Sequence, residues 1–276
     1  MNEPARLAVC ATDGHRFELL HVPARHNAKL QLLWLPALGV PARHYLPLAQ
    51  ALAAHGCAVT LMEWRGHGSS QLRAGRDQDW GLHALLQHDL PAAICRLREA
   101  GIHIDTLGGH SLGGQLASCF AGQLEGCRRL WLVASGSPYW RSFPLRHRLL
   151  LPLAYVLLPA IARLCGHLPG RRLGFGGRES ASLIADWARV GRSGHYRLPS
   201  GVEQQMQQLQ LPCTAVCLQH DWLAPASSLS ALLDKLPGCN QRIHMAGSAE
   251  LGTRADHFAW MRDPSFIAAT LAEMGP

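Results

Sequence analysis

The chain contains 276 residues, of which 48% are hydrophobic and 16% are charged. This composition predicts a globular protein with a large buried core and excludes an intrinsically disordered chain. The formal net charge of +7 raises the question of nucleic acid binding, but no RNA- or DNA-binding motif is visible, so no nucleic acid partner is expected.

The basic charge is concentrated in one segment of the chain. Between Ser137 and Ser200, ten arginines stand against two acids, Glu179 and Asp186, so this segment carries +8 and the rest sums to −1. The pattern is consistent with an ordinary solvated face. It is equally consistent with a surface that faces anionic lipid, an anionic substrate or an acidic partner.

The cysteines and the first residues bear on the cellular compartment. Nine cysteines are scattered without C-x-x-C pairs, and an odd number argues against a complete disulfide framework. We therefore expect reduced cysteines in a reducing compartment. Residues 1–6 lack the continuous apolar region of a secretory signal, which favours a cytoplasmic protein.

The first half of the chain alternates strand and helix patterns. An Asp-Gly turn at 13–14 separates two alternating runs, which predicts a β-hairpin over 7–11 and 16–22. The periodicity then predicts strands at 30–35, 57–62, 102–107 and 130–134, and helices at 43–55, 82–100 and 115–121. Strands that alternate with helices indicate a parallel sheet with crossover connections.

This alternation stops between residues 136 and 210, where no sheet strand is evident, and we interpret this segment as an inserted helical cap. It resumes with strands at 214–218 and 241–245 and helices at 225–236 and 264–274. The predicted fold class is α/β, with a mostly parallel central sheet flanked by helices. Its core comprises 1–135 and 211–276, and the cap comprises 136–210.

The cap contains a strongly apolar run at 149–162. The run is shorter than the roughly 20 residues of a membrane-spanning helix and contains Pro152 and Pro159, so it is not expected to cross a membrane. An apolar cap flanked by arginines could cover an acyl pocket, contact an anionic membrane surface, or simply pack on the core.

A G-x-S-x-G motif at 109–113 lies between strand-like and helix-like residues. A sharp turn at this place would expose the Ser111 hydroxyl as a nucleophile. Gly109 and Gly113 would relieve the clashes that a Cβ would create in such a turn. The amide of Leu112, at the start of the following helix, would point at a developing oxyanion.

A serine nucleophile needs a base, and the base needs an acid that orients it. His257 follows the last predicted strand and precedes the last helix, so it can reach the sheet edge where Ser111 lies. Asp221 follows the preceding strand and is the preferred acid. Asp256 is the rival, but its place next to His257 makes the alignment difficult. The second oxyanion donor is expected at the amide of Leu38.

These residues resemble those of the α/β-hydrolase fold serine hydrolases, in which Ser, Asp and His follow in the order Ser111, Asp221, His257. The turn that begins at 36–39 is similar to the His-Gly-x-Gly oxyanion turn of monoglyceride lipase and lysophospholipase (serine aminopeptidase-like) relatives. The loop 64–70 resembles their Asp-x-Arg-Gly-His-Gly-x-Ser loop.

Two departures and a narrower resemblance accompany this similarity. Residues 36–37 are Pro-Ala instead of His-Gly, and Glu63 or Trp64 stands where the family has aspartate. Residues 139–140 and 170–176 resemble a bacterial subgroup of hydrolases that has no assigned substrate.

The resemblance and the residues together imply hydrolysis of a small-molecule carboxylic ester through an acyl-enzyme intermediate. His257 would activate Ser111, Asp221 would orient His257, and Leu38 and Leu112 would stabilise the oxyanion. No metal or nucleotide cofactor is expected, because neither a zinc-ligand pattern nor a dinucleotide fingerprint is present. The cap weakly favours a lipid-like or anionic acyl substrate.

Several alternatives stay open at this point. The same chemistry would serve an acyltransferase or a thioesterase, and amides are further substrates. A non-catalytic binding protein of the same fold is the alternative from another class. The sequence does not indicate an oligomeric state.

Overall fold

An eight-stranded sheet forms the centre of the molecule in the computed structural model, which describes residues 3–197 and 201–273. The strands of the chain are β1 (Ala5–Cys10), β2 (Arg16–Val22), β3 (Leu30–Leu35), β4 (Cys57–Leu61), β5 (Thr106–His110), β6 (Arg129–Val133), β7 (Leu168–Pro169), β8 (Arg178–Glu179), β9 (Pro212–Leu218) and β10 (Asn240–Ala246). The sheet order is β1-β2-β4-β3-β5-β6-β9-β10. Only β1–β2 and β2–β4 pair antiparallel in this described sheet, which confirms the predicted fold class.

Helices cover both faces of the sheet. They are α1 (Leu46–Ala54), α2 (Leu82–Ala84), α3 (Leu90–Glu99), α4 (Leu112–Phe120), α5 (Leu145–Arg148), α6 (Leu151–Cys165), α7 (Gly170–Leu173), α8 (Ala181–Ser193), α9 (Val202–Gln208), α10 (Ala226–Leu233), α11 (Ser248–Leu251) and α12 (Ser265–Glu273). Successive residues of β3 enter different cores, because side chains alternate across a strand. Trp34 packs with α1 and α12, whereas Leu35 packs with α3, α4 and α10.

Two elements differ from the sequence-based expectation. The strand predicted at 102–107 is β5 and runs instead from Thr106 to His110, through two glycines. Because glycine is rare in strands, residues 108–109 did not produce a strand pattern in the sequence. In the structure the backbone lies so close to β6 that a Cβ on Gly108 would be 3.1 Å from the Trp131 carbonyl oxygen. The helix predicted at 82–100 contains a π-helical turn before Pro91, which lacks the N–H that a regular α-helix requires.

The last helix is confirmed at α12, although its predicted end at residue 274 lies outside the described residues. A short helix, α11, and a 3₁₀ turn at Ala259–Met261 stand between β10 and α12 and were not predicted. Both are too short to produce a readable periodicity.

The predicted cap lies between β6 and β9 and contains α5 to α9. The expectation that it contains no strand is wrong, because β7 and β8 form a separate antiparallel pair. Each has two residues, too few for an alternating pattern to be visible in the sequence. Within the described ranges, no helix is both long and apolar enough to cross a membrane.

A buried ion pair joins this segment to the core. Glu179 on β8 lies 3.2 Å from Nε2 of His67, in the loop that follows β4. Burial alone would lower the pKa of His67, but the Glu179 carboxylate holds that pKa above its ordinary value. The other Glu179 oxygen accepts the Gly177 N–H at 2.7 Å, so both carboxylate oxygens have partners. Arg178 and Ser180 add hydrogen bonds to the carbonyl oxygens of Ala74 and Trp80.

Replacing Glu179 by glutamine tests the ion pair, because the amide oxygen still accepts the Gly177 N–H while the charge is lost. Since the folded-state pKa of His67 is raised, the stabilisation is complete below its unfolded pKa of about 6.5 and disappears as the pH rises through the folded value. We expect Glu179→Gln to lower the free energy of unfolding by about 1–3 kcal/mol at about pH 6, and by less at about pH 9. Urea unfolding at both pH values measures this.

Glu125 provides the control, since its carboxylate pairs with Arg98 at the surface. Glu125→Gln should change the unfolding free energy by less than about 0.5 kcal/mol at either pH. A loss in Glu179→Gln that is equal at both pH values would contradict the role assigned to His67.

Candidate active site

The predicted nucleophile lies on a strained turn between β5 and α4. Ser111 has φ 54° and ψ −119°, in a region that residues with a side chain rarely adopt. A Cβ on Gly109 would lie 2.4 Å from the Gly113 carbonyl carbon, and one on Gly113 would lie 2.0 Å from the Leu35 carbonyl oxygen. This confirms that both glycines are required sterically. The Ser111 N–H donates to the Val133 carbonyl at 3.1 Å, which anchors the turn to β6.

The predicted acid and the predicted base lie on two different loops and contact each other. Asp221 follows β9 and His257 follows α11, and Oδ2 of Asp221 lies 2.7 Å from Nδ1 of His257. The other oxygen of Asp221 accepts the N–H groups of Leu223 and Ala224 at 2.9 and 3.0 Å. An ionised carboxylate only accepts hydrogen bonds, so Nδ1 carries the proton and Nε2 of His257 is free to act as a base.

Asp256, the alternative acid, makes different hydrogen bonds. Oδ1 of Asp256 accepts the N–H groups of Phe258 and Ala259, at 3.1 and 2.8 Å, and its other oxygen pairs with Arg254. Asp256 therefore caps the short turn that follows His257. The structure brings Asp221, and not Asp256, to the imidazole.

The turn after β3 is held by two side chains that the sequence analysis did not assign. The N–H of Ala37 donates to the Tyr45 hydroxyl at 2.9 Å, and the indole N–H of Trp64 donates to the Pro36 carbonyl at 2.8 Å. Leu38 follows directly, and its amide donates to no other group of the described chain. Trp64 thus supports the turn from the loop that follows β4.

Tyr45 also connects this turn to the nucleophile turn. Its hydroxyl lies 2.8 Å from Nδ1 of His110, whose ring centroid is 4.8 Å from that of His257. Burial and the neighbouring His257 hold the pKa of His110 well below its ordinary value, so this ring stays neutral. The two departures from the related sequences, at residues 36–37 and at Glu63 or Trp64, were the sequence signals that a different support was needed here.

Four of the five predicted site residues border one cavity of about 290 Å³. Ser111, Leu112, Leu38 and His257 all contribute to its wall. Most of the remaining wall is apolar, and about half of it comes from α5, α6, α8 and the residues that follow α7. Among the described residues, the wall contains no Asp, Glu, Lys or Arg.

Two other features do not provide a site of this kind. An open depression of about 700 Å³ beside the β1–β2 hairpin is larger, but it contains none of the predicted site residues. In the described ranges, no group of three or more His, Cys, Asp or Glu side chains is arranged to hold a metal ion. The apolar cavity is therefore the candidate active site.

Residues 27–177, more than half of the chain, match the model of the serine aminopeptidase S33 family. The chain belongs to this family. It is therefore a serine hydrolase. The match includes Ser111 and Leu38 but ends before Asp221 and His257, so these two residues are assigned from geometry alone.

Solved structures with the same fold include several esterases. The esterase domain of a Rhodothermus marinus protein has 17% identity and a TM-score of 0.63, over 99% of this chain and 95% of that one. An esterase of Thermogutta terrifontis has 18% identity and a TM-score of 0.64, over 99% and 97%. The enol-lactonase of Burkholderia xenovorans LB400 has 14% identity and a TM-score of 0.64, over 97% and 98%. No curated protein matches the sequence.

Tyr45→Phe tests the support of the turn after β3. Removing the hydroxyl leaves the Ala37 N–H and His110 Nδ1 without their partner in a buried place, so we expect a loss of about 1–3 kcal/mol in unfolding free energy. Because the turn would then be less well ordered, labelling of the protein by a fluorophosphonate should slow by about tenfold. Stopped time courses of labelling measure the rate.

Tyr139→Phe is the matched control, since the Tyr139 hydroxyl makes no hydrogen bond within the described residues. It should label at the wild-type rate. A Tyr45→Phe variant that labels as fast as wild type would show that the hydroxyl does not position the turn.

Proposed function

We propose that the chain hydrolyses carboxylic esters through an acyl-enzyme intermediate on Ser111. The hydrogen bond of 2.7 Å between Asp221 and His257, at the cavity that Ser111 also borders, carries this proposal. His257 Nε2 accepts the Ser111 hydroxyl proton while the oxygen attacks the carbonyl carbon, and it then gives the proton to the leaving alcohol. Water, activated by the same imidazole, releases the acid and restores Ser111.

The oxyanion is stabilised by two backbone amides in this proposal. Leu112 is the first residue of α4, where N–H groups and the helix dipole favour negative charge. Leu38 is the second donor, because Ala37 already gives its N–H to Tyr45 and Pro36 has none. The remaining amide of this turn on the cavity wall is therefore that of Leu38.

The cavity supports a neutral, apolar acyl group. Its volume of about 290 Å³ lies at the lower end of ligand sites, about 300–1,000 Å³, which favours a short or medium acyl chain. No charged side chain of the described wall could pair with an anionic acyl group, and burial of an unpaired charge is unfavourable. His147, the wall residue nearest in sequence to the cap arginines, has a pKa lowered by partial burial and by Arg146.

The name of the serine aminopeptidase S33 family suggests aminopeptidase activity as a second candidate. An aminopeptidase must bind the free ammonium group of a peptide, which requires a carboxylate near the nucleophile. The described wall of the cavity offers none, and this favours ester over peptide hydrolysis. The esterases among the structural neighbours agree with the ester class. Transfer to another alcohol and thioester cleavage would use the same groups.

The nine free cysteines support the cytoplasm as the compartment.

Fluorophosphonate labelling of purified variants tests the mechanism. We expect Ser111→Ala and His257→Ala to abolish labelling, because the first lacks the nucleophile and the second lacks its base. Asp221→Asn should slow it by about 10³–10⁴, since the imidazole would no longer be held in the productive tautomer. Asp256→Asn is the matched control and should label within about twofold of wild type, because its amide oxygen still caps the turn.

Circular dichroism and thermal melting establish that each variant is folded. Strong labelling of Asp221→Asn together with weak labelling of Asp256→Asn would reverse the assignment of the acid. An absence of labelling in folded wild-type protein would refute the mechanism and favour the non-catalytic binding role.

A series of nitrophenyl esters tests the substrate class. While the acyl chain still fits the cavity, each buried methylene should raise kcat/KM by about fourfold, so octanoate should exceed butyrate and palmitate should fall below octanoate. An ester of equal length that ends in a carboxylate should be at least about tenfold worse than its neutral counterpart. Equal or better turnover of the carboxylate ester would refute the neutral-substrate proposal.

A further inference from the structure

The exposed large hydrophobic side chains are concentrated in the cap. Of the twelve in the described chain, eight lie between residues 145 and 173. Leu149 and Leu164 are 73% and 75% exposed, values expected for lysine or glutamate. A contiguous apolar surface of this kind usually contacts another molecule or a membrane.

Helix α6 carries most of this surface. Leu153, Val156, Leu157 and Leu164 recur at helical spacing and face outward, while Tyr155 and neighbouring residues of the other face pack inward. A helix at the surface of a globular protein normally presents charged residues to solvent. In α6 both faces are apolar, so packing against the core explains only one of them.

Arginines surround the apolar face. Residues 137–178 contain no Asp or Glu, and within the described structure none of their arginines pairs with a carboxylate. Six of these arginines are exposed: Arg141, Arg146, Arg163, Arg171, Arg172 and Arg178. An apolar face with an uncompensated positive border is complementary to an anionic lipid surface.

The apolar face continues into the mouth of the cavity. Leu150 is 64% exposed and also borders the cavity, as do the exposed side chains of Trp222 and Phe258. A molecule that left a lipid surface under α6 would therefore meet an apolar path towards Ser111.

We propose that the outer face of α5, α6 and α7 docks on anionic phospholipid membranes, with α6 in the plane of the lipid–water interface. With 15 residues, α6 is long enough to lie in the interface and too short to cross the bilayer. A second copy of the chain fits this face less well, because a symmetric contact would bring the two arginine borders together. The docking does not depend on the proposed hydrolysis.

Vesicle flotation tests the docking, with phosphatidylcholine alone and with an equal mixture of phosphatidylcholine and phosphatidylglycerol. Wild type and Ser111→Ala should both float with the mixed vesicles and remain unbound with phosphatidylcholine, so that failure of catalysis and failure of docking are separable. The triple variant Leu149→Gln/Leu153→Gln/Leu164→Gln removes the apolar contribution to binding. The triple variant Arg146→Gln/Arg163→Gln/Arg172→Gln removes the electrostatic contribution. Ile243→Gln on β10 and Arg128→Gln before β6 are single controls away from the cap.

The leucine variant should lose binding by at least about a hundredfold, since each inserted leucine contributes about tenfold or more. Removing three arginines should lower the partition coefficient by about a hundredfold, about fivefold for each charge. The two controls should bind within about fivefold of wild type. Salt should weaken wild-type binding and affect the arginine variant less, because ions screen the attraction.

Three results would overturn the proposal. One is an absence of flotation with both vesicle types. Another is binding that neither triple variant reduces. The third is a wild-type dimer in analytical ultracentrifugation that the leucine variant converts to a monomer, because this would assign the face to a second copy of the chain.

Discussion

The close approach of the nucleophile turn to the end of β3 determines the geometry of the whole site. The backbone of Gly113 packs so tightly on Leu35 that no Cβ fits between them. Leu35 is the last residue of β3, and the residues that follow it form the turn that carries Leu38. This contact therefore places Ser111 relative to Leu38, the proposed backbone donor that lies outside the nucleophile turn. The strained φ of Ser111 persists because the surrounding sheet and α4 leave it no alternative.

A hydrogen-bonded Ser-His-Asp set elsewhere in the chain shows that proximity alone does not make a site. Ser70 Oγ lies 2.9 Å from His15 Nε2, and His15 Nδ1 lies 2.8 Å from Asp89. Asp89 also receives two hydrogen bonds from Arg65, and Ser70 accepts the Gly66 N–H. All of these groups are buried and satisfied, so the set stabilises the loop after β4. The difference at Ser111 is that the hydroxyl borders a cavity.

The sequence predicted the parts of this structure that depend on local patterns. The strand and helix order, the glycines around Ser111 and the loops that carry Asp221 and His257 each follow from residues close together in the chain. The supports provided by Tyr45 and Trp64 could not be predicted in this way, because they arise from contacts between separate elements. The shifted limits of β5 have a related origin, since two glycines conceal a strand that its neighbours impose.

The arginines of the cap lie outside the cavity wall, and this position limits which molecules they can bind. Their number alone is consistent with an anionic substrate or with an anionic surface. In the described wall of the cavity there is no cation, and Arg146 acts there only by lowering the pKa of His147. Exposed charges act over about 8 Å at physiological salt, which suffices to orient a protein at a charged surface but gives little selectivity within a buried apolar pocket. Under the two proposals, the arginines determine what the cap contacts, and the apolar wall determines which acyl group can reach Ser111.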